Sequence, residues 1–416
     1  MPENFVPPPY ITYAIPFFFL LMGIEMLIGA IWKKNYYHFG DTIADLSTGI
    51  FSQLAGIFLK TISLYAYFLI YENYKIFEIS MDSIPGWIFC IIGWDFFYYW
   101  LHRLSHEVNI LWASHVIHHH SEEYNLIVAL RQTSTGGLIS WIFFLPLALI
   151  GFPPWMFLAA GQINLIYQYW VHTKAIRSLG SVAEFWLSTP SHHRVHHAIN
   201  PEYIDKNHGG ILIIWDRIFG SFQKEEKEPV YGTVKPFRNY NPLWANLHYY
   251  WEIFLLSYRA RGIGNKLKVF FMPPGWIPPG EEGEAHFLPI PEVDVNTFEK
   301  YNPVPDGSLK TYVLIWFLGI LFSSFGFLVF LPQFSFDMKV VVAISVMFSL
   351  IPLNALLESR SYGLALETIR LLSTPVSLYI LSQNLPLTIG VGLISVLSIP
   401  LIWILVKRQR VEPGFN

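Results

Sequence analysis

The chain is 416 residues long, 53% hydrophobic and 17% aromatic but only 14% charged, with a net charge of −3. Soluble domains carry about 25% charged residues, so this is the composition of a membrane protein. The only basic run is Lys407-Arg408-Gln409-Arg410, which argues against a nucleic-acid partner. The single cysteine, Cys90, excludes an internal disulfide, a cysteine-ligated zinc finger and an iron–sulfur cluster.

A helix needs roughly 20 apolar residues to cross the hydrocarbon core. The first such stretch, 11–32, follows MPENFVPPPY, which has no basic n-region. It therefore reads as a retained span, not a cleaved signal. Further spans are predicted at 46–71 and 84–101. The apolar block 137–171 is broken at Phe152-Pro153-Pro154, which predicts a helical hairpin that enters and leaves on one side. The next segment, 172–310, is mostly polar. Within it, 242–258 (PLWANLHYYWEIFLLSY) is aromatic-rich and expected at the membrane interface. From 272 to 294, MPPGWIPPGEEGEAHFLPIPEVD holds too much Pro and Gly for a continuous helix. Spans at 311–331, 338–355, 366–382 and 385–406 complete the chain. The expected architecture is an all-α, polytopic membrane bundle with a histidine-rich di-metal site at its inner face. Its expected parts are a catalytic region over 1–270, a linker over 271–305 and a four-span module over 306–416. There is no internal repeat, dinucleotide-binding motif or P-loop.

Lys and Arg concentrate on the cytoplasmic side of membrane proteins. Placing Lys33-Lys34 inside also places 102–136, 172–310, 356–365 and the C-terminal tail inside. That assignment puts 24 of the 27 Lys and Arg residues inside or at an inner boundary, the exceptions being Lys60 (within a span), Lys75 and Lys339. The expected topology has the N-terminus out and the C-terminus in. The active site then faces the cytoplasm, in a bacterial inner membrane or endoplasmic reticulum.

Ten of the 15 histidines fall in three clusters. His102 and His106 end the third span. His115, His118 and His119, with His120 adjoining, lie in HVIHHH, and His193, His196 and His197, preceded by His192, lie in SHHRVHH. Spacings of three and four share one face of a helix, so each cluster is expected to present its imidazoles in one direction. Eight or nine convergent imidazoles exceed the four ligands of a tetrahedral zinc, whereas two metals with four or five ligands each fit the count. A lone pair four apart would suit interfacial or capping histidines, but three spaced clusters on one side of the membrane do not. His120 lies about 100 degrees beyond His119 on a helix and is expected outside the ligand set. His172, in YWVHT, is expected to complete that set. His38, His248 and His286 read as structural or exposed, and His208, in DKNHGG, stays open.

Asp95 lies inside the third span, where a charge is costly. It sits seven residues before His102, on the same helical face, and is expected to accept a ligand ring N–H. Glu107 either approaches the site or caps a helix, whereas Glu122 and Glu123 read as solvated or capping. Val108-Asn109-Ile110 after His106-Glu107 excludes the zinc-protease motif His-Glu-x-x-His. Imidazole suits iron, copper and zinc alike. A site beside lipid-facing helices suggests oxidation of a lipid chain, which needs oxygen and a redox metal and favours iron. A metal transporter would carry polar groups along several spans. A membrane cytochrome would pair histidines on opposing spans, and here the clusters sit at span ends.

The order His-x-x-x-His, His-x-x-His-His, His-x-x-His-His resembles the membrane fatty acid hydroxylase/sterol desaturase superfamily of non-haem di-iron oxygenases. HRLSHEVNILWASHVIHHHSEEYNLIVALRQT and HHRVHHAINPEYIDKNHGGILIIWDRIFGSF are similar to its alkylglycerol monooxygenase branch, which cleaves ether lipids with tetrahydrobiopterin. The similarity is strong over roughly 85–225 and weaker in the C-terminal spans. It implies metal ligands at His102, His106, His115, His118, His119, His193, His196 and His197, with Glu107 matching an acidic residue beside the first box. It also implies two irons, tetrahydrobiopterin, molecular oxygen and a lipid substrate. Hydroxylation beside an ether oxygen would give a hemiacetal that collapses to a fatty aldehyde and a glycerol. The alternative within the class is hydroxylation or desaturation of a sterol, carotenoid or fatty acyl chain. His120 departs from a serine in the family pattern, and His208 from an aromatic residue.

Overall fold

The computed structural model describes residues 8–280, 284–303 and 305–411, and nearly all regular structure in them is helical. The start of MPENFVPPPY, residues 281–283 and 304 of the expected linker, and residues 412–416 lie outside the described residues. Helix α1 (Tyr10–Ile31) and the long α2 (Phe39–Tyr74) lead to α3 (Ile84–Glu107) and the short α4 (Asn109–His115). The apolar hairpin is α5 (Trp141–Ile150) and α6 (Pro154–Trp170). Short helices α7 (Ser181–Trp186), α8 (Pro190–His196) and α9 (Ile214–Phe219) follow, then α10 (Pro242–Arg259) and α11 (Ile263–Phe271). The last four are α12 (Gly307–Val329), α13 (Phe336–Leu357), α14 (Gly363–Ser382) and α15 (Leu385–Val411). Between α11 and α12, Trp276–Ile277 pairs antiparallel with His286–Phe287.

Among the described residues, six helices are long and apolar enough to cross a membrane: Tyr10–Ile31, Phe39–Leu59, Gly307–Val329, Phe336–Leu357, Gly363–Ser382 and Leu385–Gln409. The chain is a multi-pass membrane protein. α3, expected as a span, is not among the six, because tryptophans, tyrosines and Asp95 replace aliphatic residues in its second half. The exposed faces of α1 and α15 are large and apolar, including Phe17, Leu20 and Leu27 on the first and Leu393, Leu397 and Leu401 on the last. Lipid covers such faces in a bilayer.

The chain divides into two units. The first comprises Met1–Tyr37, Ala55–Phe237 and Asn246–Lys300. In its core, Tyr67, Cys90, Trp94, Phe144, Leu147, Phe152 and Met156 join α2, α3, α5 and α6. Trp94 stacks on Phe144 at 4.6 Å. A Cβ on Gly161 would stand 3.0 Å from the Trp94 indole, so glycine there permits the close approach of α6 to α3. Local sequence sets the ends of these helices. Ser83 caps α3 by accepting from the Gly86 amide at 3.0 Å, with a proline in the first turn. α5 ends on Gly151 in the left-handed region (φ 113°), where a Cβ would fall 1.9 Å from the Phe77 carbonyl oxygen. α6 then starts on Pro154, the break that the sequence predicts. α4 stops at His115 and the chain tightens into a 3₁₀ turn over Val116–His119.

The second unit comprises His38–Leu54, Arg238–Ala245 and Tyr301–Asn416. Its helices bury an ion pair. Glu367 accepts two hydrogen bonds from Arg370 and a third from the Tyr312 hydroxyl, and the guanidinium lies 4.3 Å from the Trp316 ring centre. Asn354 donates to the Ser47 hydroxyl at 2.8 Å. Asp306 and Ser335 cap α12 and α13.

Candidate metal centre

The end of α3, the α4 turn, the segment after α6 and α8 converge in the first unit and carry nine imidazoles inward. His102, His106, His115, His119 and His196 form one group, and His118, His172, His193 and His197 a second. Within each group the candidate ligand atoms lie within 4.8 Å of one another, and all but the half-buried His115 are buried. In the first group, Nε2 of His115 is 3.1 Å from Nε2 of both His102 and His119. In the second, Nε2 contacts of 3.2, 3.0 and 3.2 Å run from His118 through His172 and His193 to His197. Two nitrogens bound at right angles to one ion, each at about 2.1 Å, would stand roughly 3.0 Å apart. Lone pairs facing at that separation suit a shared cation far better than one another. Nε2 of His106 and His196 are buried without a hydrogen-bond partner among the described residues. The donor set therefore fits a metal.

The opposite nitrogens fix the tautomers. Nδ1 of His102 donates to the His208 carbonyl (2.8 Å), His118 to Arg131 (2.9 Å), His172 to Gln168 (2.8 Å) and His196 to Lys206 (3.0 Å). Each Nε2 is thereby left with its lone pair inward. Burial, reinforced by the adjoining imidazoles, holds His115, His119, His193, His196 and His197 well below the ordinary histidine range. Burial likewise lowers His118 to about 4. These rings are neutral at pH 7, as ligation requires.

His102 and His106 of the first box both serve the first group, whereas the second and third boxes each divide between the groups. His115 and His119 serve the first and His118 the second, while His196 serves the first and His193 and His197 the second. The expectation that each cluster points one way therefore holds for the first cluster and is corrected for the second and third. Adjacent residues on a helical turn diverge by about 100 degrees, so each His-His pair reaches two neighbouring positions. The groups abut, with the His119 and His197 rings stacked at 4.4 Å. His172 joins the second group.

Asp95 differs from expectation, because it touches no ligand ring N–H. Its carboxylate accepts from the Ile211 and Leu212 amides (2.7 and 3.1 Å), the Trp215 indole (2.9 Å) and Asn164 (2.7 Å). It thus anchors the loop whose His208 carbonyl orients His102. Asp216, which sequence reasoning passed over, holds the same loop through the amides of His208 and Gly209 at 2.7 Å each. Burial pushes its carboxyl up to about 6. Gly209 and Gly210 make this closure possible, since Cβ atoms would stand 2.5 Å from the Leu212 carbonyl and 2.8 Å from Asp95. Two arginines were also missed. Arg131 donates to the Ile117 carbonyl at 2.7 Å, closing the second box. Arg194 pairs with Glu225 at 2.6 Å and donates to the carbonyls of Thr173, Ile176 and Arg177. Their charges between histidines were the available signal.

The remaining expected residues lie around the centre. Glu107 is paired with Arg103 at 2.9 Å. Glu122 and Glu123 are buried, not solvated, and Glu123 pairs with Lys300 at 2.7 Å. His120 stacks on Phe237 at 4.0 Å, beside the buried His248, and is outside both groups. His192 is buried against Phe222, also outside the groups, and His286 is exposed on its strand. His208 is buried beside the first group without being part of it.

Apolar crossing helices and nine convergent imidazoles, eight of them buried, define a membrane metalloenzyme of the histidine-box class. Residues 87–221 match the fatty acid hydroxylase family model. The chain is 39% identical to human alkylglycerol monooxygenase over 372 residues, covering 88% of this chain and 81% of that protein. Identity to the Danio rerio alkylglycerol monooxygenase is 38% over 367 residues (87% and 81%), and to that of Xenopus tropicalis 40% over 314 residues (76% and 70%). No solved structure matches the chain. The chain belongs to the alkylglycerol monooxygenase family, and it is a membrane monooxygenase acting on a lipid chain.

Proposed function

We propose that the two histidine groups hold two irons and that the enzyme cleaves the ether bond of an alkylglycerol. The observation that carries this reading is the pairing of five and four inward imidazoles in abutting groups. When bound, the irons would supply oxygen activation for C–H oxidation. Around them the chain's own residues hold nine imidazoles, and backbone carbonyls fix the tautomer of four, His102, His118, His172 and His196. The buried second box, third box and 208–216 loop exclude bulk water from those rings. In overall balance, one O₂, two electrons and two protons convert the ether carbon to its hydroxyl derivative and water. The resulting hemiacetal then breaks its C–O bond to give a fatty aldehyde and a glycerol derivative.

Tetrahydrobiopterin as electron donor is carried by the resemblance of 102–133 and 192–222 alone. A cytoplasm-facing centre is supported by the Lys and Arg distribution. α3, 24 residues and so about 36 Å long, is the crossing that would return the chain to that side. Asp95 is proposed as a positioning residue and Glu107 as a peripheral one. The catalytic region is proposed as 1–270, followed by the 271–305 linker and the 306–416 module.

The test is metal analysis of the purified protein, followed by turnover of radiolabelled alkylglycerol with and without tetrahydrobiopterin. About two irons per chain and pterin-dependent aldehyde are expected. Zinc alone in active protein would overturn the iron reading. A hydroxylated acyl product without aldehyde would overturn ether cleavage and leave a lipid hydroxylase.

A further inference from the structure

His208 is a tenth imidazole at the centre that neither group includes. It is 0% exposed. Its ring centre lies 5.1 Å from that of His106, 5.6 Å from His196 and 5.7 Å from His102. These separations fall within those inside the five-histidine group, which run from 4.3 Å for His102–His196 to 6.5 Å for His115–His196. Neither of its ring nitrogens makes a hydrogen bond of good geometry among the described residues, although the Asp205 backbone lies close enough to act on the ring. The ring is also not free to leave. Its backbone amide is held by Asp216 and its carbonyl by the His102 ring, at 2.7 and 2.8 Å.

A buried polar nitrogen left unpaired is costly, so a side chain so placed persists where a polar group comes to meet it. Two of the three rings around His208, His106 and His196, present unpartnered Nε2 atoms of their own. The four-histidine group has no counterpart in Tyr124, the aromatic residue beside His172 and His197, whose hydroxyl is committed to the Val171 carbonyl at 3.0 Å.

We propose that His208 forms a small-anion subsite on the five-histidine position, its ring N–H donating to a hydroxide-sized or azide-sized ligand on the side lined by His102, His106 and His196. The inference rests on the reading that the groups hold iron. It makes the two metal positions inequivalent toward small ligands, because His208 adds a proton donor beside the five-histidine position.

The test titrates the oxidised, iron-loaded full-length protein with azide, following the azide-to-iron charge-transfer absorption alongside iron content and thermal unfolding. Wild type is expected to hold about two irons and develop the band. His208→Phe should keep its iron and bind azide roughly tenfold or more weakly, because it loses a hydrogen bond to a charged group. His208→Gln, which restores a donor, should recover part of the affinity. If the phenylalanine variant does not fold, His208→Leu makes the same comparison. Unchanged azide affinity in a fully loaded apolar variant would overturn the subsite. So would loss of one iron, which would make the ring a metal ligand instead. Wild type without iron would overturn the underlying reading, and the subsite with it.

Discussion

Four of the nine imidazoles have two functions: one nitrogen faces the neighbouring rings and the other is held outward by a backbone carbonyl. Loss of a ring should therefore affect one group selectively. His118→Ala and His119→Ala are adjacent substitutions aimed at different groups. Each should lower iron from about two to about one per chain. Activity should fall by more than the 10–100-fold typical of losing an outer-sphere partner. Metal analysis and single-turnover aldehyde formation would check both. His120→Ala should behave differently. It removes a ring stacked on Phe237, costing about 2 kcal/mol of stability from the cavity, while iron content and most activity remain. That His120 stands apart was legible from the 100-degree helical step. That His118 and His119 part company was not, because it depends on where two distant boxes meet.

At the scale of elements, the loop 208–216 links α3 to the centre without supplying a ligand to either group. Asp95→Ala would leave two backbone amides and an indole N–H without their acceptor. A loss of about 3 kcal/mol is expected, with weakened iron retention in the five-histidine group. Thermal unfolding together with the rate of iron release to a chelator measures both. Sequence reasoning marked Asp95 as functional because a carboxylate inside an apolar helix needs partners. It assigned the wrong partner, because helical periodicity fixes a face but not what another segment brings to it. The α5–α6 turn was readable from Phe152-Pro153-Pro154, since proline cannot continue a helix. The demand on Gly151 comes from Phe77, distant in sequence. Gly151→Ala should cost more than about 2 kcal/mol through its left-handed backbone and the Phe77 clash, read as lower yield and lower melting temperature.

For the whole molecule, the sidedness of the centre and the integrity of the second unit are the open tests. Cys90 is buried and the only cysteine, so single cysteines can be introduced into a nearly native background. A membrane-impermeant maleimide should label exposed Glu226→Cys from the cytoplasmic face and exposed Asp82→Cys from the opposite face. Labelling of both from one side would overturn the proposed topology. In the second unit, Glu367→Ala would strand the fully buried Arg370, and about 3–5 kcal/mol of destabilisation is expected. The double replacement with leucines should recover much of it, as measured by thermal inactivation.

The sequence by itself determined the class of protein, the approximate crossing helices and the nine histidines that meet. Composition sets the solvent, apolar length sets the spans, and histidines at spacings of three and four are too improbable on three segments to be incidental. Only the tertiary structure decided how those nine divide into five and four. It also decided which carbonyls orient them and what Asp95 holds. Ligand geometry is fixed by contacts between segments up to about a hundred residues apart, such as His102 with the carbonyl of His208. Local periodicity carries no information about that distance.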